Sequence, residues 1–151
     1  MPSFEEIHVY SSEERQYLLD LGINSKIIEY NFEIIKELNK NVVIFMRLKD
    51  ETMNRKEIVK AIKLLKKFNY SIYFKNHPNY NGYLTSELSE NYSIEIIEPN
   101  IEVSKILKKL KPLFTIAWKS TTICNSLKHG IIPITLFDST QKERNEESQK
   151  F

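Results

Sequence analysis

Five apolar runs occur along the chain, and each predicts a β-strand. Residues 42–46 are continuously apolar and rich in β-branched side chains, which is typical of a strand buried on both faces of a sheet. The other four runs lie at residues 70–74, 92–97, 113–118 and 131–136.

Helical patterns separate these runs. After a polar loop at residues 47–55, apolar side chains recur at helical spacing from Ile58 onward. Shorter helices are predicted at residues 82–88, 103–110 and 121–129. Strands joined by helical crossovers pair in parallel, because a parallel connection needs about a dozen residues. The sequence therefore predicts an α/β fold, a Rossmann-like three-layer sandwich with a parallel sheet of about five strands.

The N-terminal segment has a different pattern. A strand predicted at residues 6–10 leads into a helix, with a capping-box signal at Ser11 and Glu14 and a left-handed stop at Gly22. We interpret residues 24–41 as a connector.

A chain of 151 residues fits one domain with one short appended element. We expect residues 1–40 to form a lead-in and connector, and residues 41–137 to form the Rossmann-like domain. Residues 138–151 are polar and of mixed charge, which predicts a flexible tail.

Composition excludes several functional classes. The 22 basic residues are interspersed with 20 acidic ones and the net charge is +2, so neither a nucleic-acid nor a membrane partner is indicated. A single cysteine, Cys124, excludes an intrachain disulfide framework. Because no signal segment occurs and no apolar run approaches about 20 residues, we expect a cytoplasmic protein without an integral membrane segment. Peripheral association with the inner face of the cell membrane stays open.

The most informative polar residues follow the second of the five runs. Lys75 and His77 place an ammonium and an imidazole at the carboxyl end of a predicted strand, the edge where open α/β sheets bind ligands. Pro78 favours extended geometry at His77. The imidazole can donate a hydrogen bond to a phosphate oxygen. A turn histidine that caps a loop and a solvated lysine are the open alternatives.

A second polar cluster, Ser120, Thr121 and Thr122, lies where the fourth run gives way to a helix. One N-cap needs only one such hydroxyl, and capping is the alternative role. The first turn of a helix also offers free N–H groups and the positive end of the dipole to a phosphate. The two clusters together predict a site for a phosphate-bearing anion.

A third loop, Glu98, Pro99 and Asn100, follows the third run at the same edge and is placed to border a base or ribose. The simpler interpretation is that Pro99 opens the next helix. With three glycines in the chain, neither a dinucleotide fingerprint nor a P-loop is present. No His, Asp and Glu cluster has metal-ligand spacing, so no metal is expected.

Three segments resemble the C-terminal half of bacterial GT-B glycosyltransferases: residues 70–78 (YSIYFKNHP), 116–122 (IAWKSTT) and 129–134 (HGIIPI). The group they resemble is the sialyltransferase and polysialyltransferase-like enzymes of capsule and lipooligosaccharide synthesis. Similar His-Pro and Ser/Thr elements occur in capsule Kdo transferases and teichoic-acid glycerophosphotransferases. The resemblance spans residues 5–137 with short motifs.

This resemblance implies a fold of the GT-B C-terminal-domain type and a nucleotide-sugar donor, a CMP-activated acidic sugar, as substrate. His77 would be the catalytic residue and would contact the donor phosphate. The resemblance also implies that the domain uses no metal or other cofactor. The remaining implied site residues are Lys75, Ser120, Thr121 and Thr122 for the phosphate, and Glu98, Pro99 and Asn100 for the base and ribose.

In GT-B enzymes a second, N-terminal domain carries the acceptor site. This chain begins where that domain would be ending, so we expect a donor-binding half that is inactive alone. It would act with a separate N-terminal-domain polypeptide or as a homo-oligomer. A non-catalytic α/β interaction module and an inactive truncated remnant are the alternatives.

Overall fold

The computed structural model describes residues 5–9, 11–23, 25–29, 33–118 and 121–135. The chain divides into two compact units, Met1–Glu33 and Ile34–Phe151. The predicted tail at residues 138–151 lies outside the described residues. Among the helices of the described residues, none combines the length and the apolar composition that crossing a membrane requires.

The first unit is a β–α–β arrangement. Strands β1 (Glu6–Val9) and β2 (Lys26–Glu29) pair in parallel, with helix α1 (Ser12–Asp20) between them. The Ser11 N-cap of the predicted capping box is confirmed, because the Glu14 N–H donates to Ser11 Oγ at 3.1 Å. The left-handed stop is also confirmed, with φ of 71° at Gly22.

Strand β2 corrects the sequence interpretation. It lies inside the segment that we interpreted as a connector, at residues 24–41. Only Ile27 and Ile28 are apolar in it, too few for a recognisable alternation, and the strand forms because Ile27 pairs with Ile7 of β1.

The second unit contains one sheet and four helices among the described residues. The strands are β3 (Asn39–Met46), β4 (Ser71–Asn76), β5 (Glu95–Ile97), β6 (Pro112–Ile116) and β7 (Ile132–Ile134). The helices are α2 (Leu48–Lys67), α3 (Leu84–Tyr92), α4 (Val103–Leu110) and α5 (Thr121–Lys128). All strand pairs are parallel, in the order β5-β4-β3-β6-β7. The predicted fold class is confirmed: a five-stranded parallel sheet flanked by helices, compatible with a Rossmann-like three-layer sandwich.

Strand β3 is the centre of the core. Val42, Ile44 and Met46 belong to one buried cluster, which includes side chains of α2 and α3. Val43 and Phe45 belong to a second cluster, which includes side chains of α4 and α5. Alternate side chains of one strand thus supply both faces of the sheet, as the continuous apolar run predicted.

The predicted polar loop at residues 47–55 is wrong, because α2 begins at Leu48. The Arg47 N–H donates to the Asp50 carboxylate at 2.9 Å, and the Arg47 guanidinium pairs with the same carboxylate at 3.0 Å. The carboxylate thus satisfies an N–H at the helix start and complements the positive end of the helix dipole. The polar residues after it form the exposed face of the first turns.

Candidate functional site

The strand order determines where a ligand site can form. From β3 the chain runs to one side through β4 and β5, and α4 then carries it back to β6 and β7 on the other side. Connections therefore leave the carboxyl ends of β3 and β6 in opposite directions, and ligands of such sheets bind in the crevice outside that point. A pocket of about 200 Å³ opens there, between the ends of β3, β4 and β6.

Four of the sequence-predicted site residues line this one pocket: Lys75, His77, Thr121 and Thr122. Ser120 lies outside the described residues. Residues 98–100 do not line the pocket, because they follow the edge strand β5, one strand farther from the crevice. Glu98 instead borders a separate groove of about 330 Å³ between β5 and α4.

Lys75 is a buried cation. It is only 6% exposed, which excludes the solvated alternative. Its Nζ donates to the carbonyl oxygens of Pro99 and Asn76, and no carboxylate of the described residues pairs with it. Burial lowers the pKa of Lys75 because desolvation disfavours the charged form. An ammonium in this position attracts an anion, since a nearby negative charge would offset that penalty.

His77 is held by its own turn. Its N–H donates to the Met46 carbonyl at 2.8 Å, and its carbonyl accepts the Tyr80 N–H at 2.8 Å. The Asn79 N–H donates to His77 Nδ1 at 3.2 Å, which leaves the proton of the neutral ring on Nε2. The loop-capping alternative is therefore realised, yet His77 also lines the pocket, and its Nε2–H is a hydrogen-bond donor.

The Glu51 carboxylate holds the turn that carries His77. The Tyr80 hydroxyl donates to Glu51, whose carboxylate also accepts the Leu84 N–H at 3.2 Å at the start of α3. Burial, and then the hydrogen bond to Glu51, raise the pKa of Tyr80. A Cβ at Gly82 would lie 1.7 Å from Glu51 Oε2, so a side chain at this position would clash with the Glu51 carboxylate.

Helix α5 is anchored to β6 by a buried hydroxyl pair. Ser126 Oγ lies 2.7 Å from Thr115 Oγ1 and donates to the Thr122 carbonyl at 2.9 Å. His129, just after the helix, lies 3.1 Å from Ser104 Oγ of α4 through its Nε2. These contacts fix the first turn of α5, with Thr121 and Thr122, at the pocket wall.

Three further polar residues of the pocket wall were missed by the sequence analysis: Arg47, Asn76 and Trp118. Asn76 Oδ1 and Trp118 Nε1 are buried and have no hydrogen-bond partner among the described residues. A buried polar atom without a partner costs about 1–3 kcal/mol, so each calls for an explanation. The only sequence signal that could have identified these three residues was their position at strand ends, on the predicted ligand-binding edge of the sheet.

No group of three or more His, Cys, Asp or Glu side chains among the described residues is arranged to hold a metal ion. The basic residues that line the pocket are Arg47, Lys75 and His77. Arg47 is paired with Asp50, which leaves the Lys75 ammonium as a charge that no carboxylate of the described chain balances. This arrangement can bind an oxyanion. No protein-family model, curated protein or solved structure matches this chain.

Proposed function

We propose that this chain is the donor-binding domain of a glycosyltransferase that uses a nucleotide sugar, a CMP-activated sugar, in bacterial surface polysaccharide synthesis. The observation that carries the proposal is the buried Lys75 ammonium, without a carboxylate partner among the described residues, in the same pocket as His77. The resemblance of the His-Pro and Ser/Thr segments supplies the donor class.

In the proposed reaction, the enzyme stabilises negative charge on the departing nucleotide phosphate. Lys75 supplies a positive charge in a site of low dielectric, and His77 supplies the Nε2–H donor. Donors fixed before the reaction are effective because they need no rearrangement as the glycosidic bond breaks. The first turn of α5, with Thr121 and Thr122, adds N–H and hydroxyl groups on the opposite wall.

The size of the pocket limits what it holds. Its volume of about 200 Å³ is below the range of about 300–1,000 Å³ that is typical of whole-ligand pockets. A phosphate and the sugar next to it fit such a volume better than a complete nucleotide sugar. We therefore propose that a partner polypeptide carries the acceptor site and covers the rest of the donor.

Calorimetric titration with CMP and with a CMP-sugar tests the proposal. We expect Lys75→Met and His77→Ala each to weaken binding by at least about tenfold, because hydrogen bonds to charged groups contribute about 1.5–3 kcal/mol. Lys63→Met, at an exposed position of α2, is the matched control and should bind like the wild type. Absence of binding at millimolar ligand, or binding that neither pocket variant changes, would remove the proposal.

A second candidate, a non-catalytic module that self-associates, is favoured by a different observation. Helix α1, all of whose residues are described, contains no buried residue. Tyr17 within the helix is 64% exposed, and Leu21, which directly follows it, is 59% exposed. A parallel sheet of two strands is also unusual, because parallel sheets normally bury both faces. Sedimentation would show concentration-dependent dimers that Tyr17→Ser with Leu21→Ser weakens. A monomer at every concentration argues against this candidate.

A further inference from the structure

Two residues that line the pocket carry buried polar atoms of opposite hydrogen-bonding character. Trp118 is 4% exposed, and its Nε1 has no partner among the described residues. Asn76 Oδ1 is also buried without a described partner, while Asn76 Nδ2 donates to Thr85 Oγ1 at 3.1 Å. In this arrangement the Oδ1 end of the Asn76 amide group is the one left for another partner.

The sheet register places these side chains on either side of β3. Asn76 pairs with Met46, and Ile44 pairs with Ile116, two residues before Trp118. Because side chains alternate along an extended chain, Trp118 lies on the same face as Ile116, and both belong to the buried cluster that includes Met46. Asn76 and Trp118 therefore flank Met46, with backbones about 10 Å apart across two strand spacings.

The chemistry of the two atoms selects among ligands. Indole Nε1–H only donates a hydrogen bond, and Asn Oδ1 only accepts one. The oxygens of a phosphomonoester dianion only accept, so the phosphate group of such a ligand can satisfy Trp118 but not Asn76. A hydroxyl group does both, and a pair of neighbouring hydroxyls can serve the two side chains at once.

We infer that Trp118 and Asn76 bind hydroxyl groups of a phosphorylated sugar, next to the phosphate held by Lys75 and His77. This inference rests on the proposed phosphate site and names the ligand class that the site takes. The hydroxyls belong either to the ribose of a nucleotide or to the sugar that is transferred, and the experiments below separate these sources.

Trp118 is the single tryptophan of the chain, so one indole N–H resonance reports on it. In the wild-type protein labelled with ¹⁵N, we expect ribose 5-phosphate to move this resonance, because Nε1–H gains an acceptor. Inorganic phosphate should leave it in place, because we place the phosphate at Lys75 and His77 rather than at Trp118. An indole signal that neither ribose 5-phosphate nor a CMP-sugar moves at saturation overturns the inference.

Binding by variants gives an independent measurement. Trp118→Phe keeps an aromatic ring but lacks the N–H, and Asn76→Leu removes the acceptor. We expect each to weaken ribose 5-phosphate binding by about tenfold, the effect of about 1.4 kcal/mol in one hydrogen bond, with phosphate binding unchanged. Asn54→Leu is the matched control, because Asn54 Oδ1 is also buried without a described partner but Asn54 does not line the pocket.

The outcomes separate this inference from the proposed function. If Lys75→Met weakens binding of every phosphate while Trp118→Phe and Asn76→Leu weaken none, only the hydroxyl assignment fails. If no phosphate binds to the wild type, the proposed function fails. If Trp118→Phe weakens the binding of CMP, the hydroxyl belongs to the ribose. If Trp118→Phe weakens only the binding of a CMP-sugar, the hydroxyl belongs to the transferred sugar.

Discussion

Lys75 is the residue whose surroundings bear most directly on function. Lys75 is 6% exposed, and its ammonium contacts carbonyl oxygens rather than a carboxylate of the described chain. A stability argument alone would favour an apolar residue at such a position, because a buried charge without a partner is costly. A lysine here is better explained by the anion that we propose it binds.

The pH dependence of stability tests the state of Lys75. Burial holds its pKa below the ordinary 10.5, so in the range just below 10.5 the folded protein binds fewer protons than the unfolded chain. The free energy of unfolding therefore gains a contribution that rises with pH in this range. We expect Lys75→Met to lack that contribution and to be at least as stable as the wild type at neutral pH.

Urea unfolding at a series of pH values below 10.5 measures this difference. Other titrating groups cancel when the variant is subtracted from the wild type. Lys63→Met, which removes an exposed ammonium, is the matched control and should keep the pH-dependent contribution of Lys75. Parallel curves for the wild type and Lys75→Met would contradict the prediction.

Gly82 is a second residue whose identity the structure explains. A Cβ there would lie 1.7 Å from Glu51 Oε2 and 2.9 Å from Tyr80 Cζ. Because Glu51 is held by Tyr80 and by the Leu84 N–H, it cannot move without losing those bonds. We expect Gly82→Ala to lower the free energy of unfolding by about 1–3 kcal/mol, measured in guanidinium chloride.

A double-mutant cycle identifies the cause of that loss. In a Glu51→Ala background the clashing carboxylate is absent, so Gly82→Ala should cost much less. An equal cost in both backgrounds would mean that the glycine is required for another reason.

At the scale of elements, the helices of the second unit share one kind of ending. Left-handed residues follow α2, α3 and α4, and none of them is glycine: Asn69, Ser93 and Lys111, with φ of 58°, 52° and 46°. Such a residue ends a helix cleanly, but a side chain there is strained. The loops that lead into β4, β5 and β6 therefore contain avoidable strain.

Lys111→Gly should relieve part of this strain. We expect the free energy of unfolding to increase by about 0.5–1 kcal/mol, because glycine adopts positive φ without a Cβ penalty. Asn69→Gly is the matched control and should gain less, since asparagine tolerates this conformation. Thermal and urea unfolding of both variants measure the effect. A loss of stability in Lys111→Gly would show that its side chain contributes more than its backbone strain costs.

At the scale of the whole molecule, the two units differ in how much they bury. Val42, Val43, Ile44 and Met46 of β3 are at most 1% exposed, whereas α1 of the first unit contains no buried residue. Regions with few buried apolar contacts open at low free energy, and core strands open only with global unfolding.

Native-state hydrogen exchange should reveal this difference. We expect the amides of β3 to be the most protected and those of β1 and β2 to exchange through a separate opening of lower free energy. Addition of the ligand should leave that lower value unchanged, since the proposed site lies in the second unit. Equal protection of both units would contradict the prediction.

The pattern of the sequence was sufficient for the fold class and for bringing four candidate residues to one pocket. The run at residues 42–46 predicted a strand buried on both faces, and the strand–helix alternation predicted the parallel sheet. Once the sheet is parallel, polar residues at strand ends share one edge, so Lys75 and His77 could be placed with Thr121 and Thr122.

Other features depend on partners that are distant in sequence. Strand β2 exists because β1 pairs with it, and α2 begins at Leu48 because Asp50 caps it, although the polar residues there indicated a loop. The burial of Lys75 beside Pro99 follows from the arrangement of neighbouring loops, which no local pattern encodes.

The sequence by itself determined the alternation of strands and helices and the edge on which polar groups gather, because side-chain periodicity is a local property of the backbone. Tertiary structure alone decided the strand order, the crevice between β3 and β6, and the convergence of Lys75, Asn76 and Trp118 on it. The physical reason is that burial and hydrogen-bond satisfaction are properties of the packed molecule, set by residues up to dozens of positions apart.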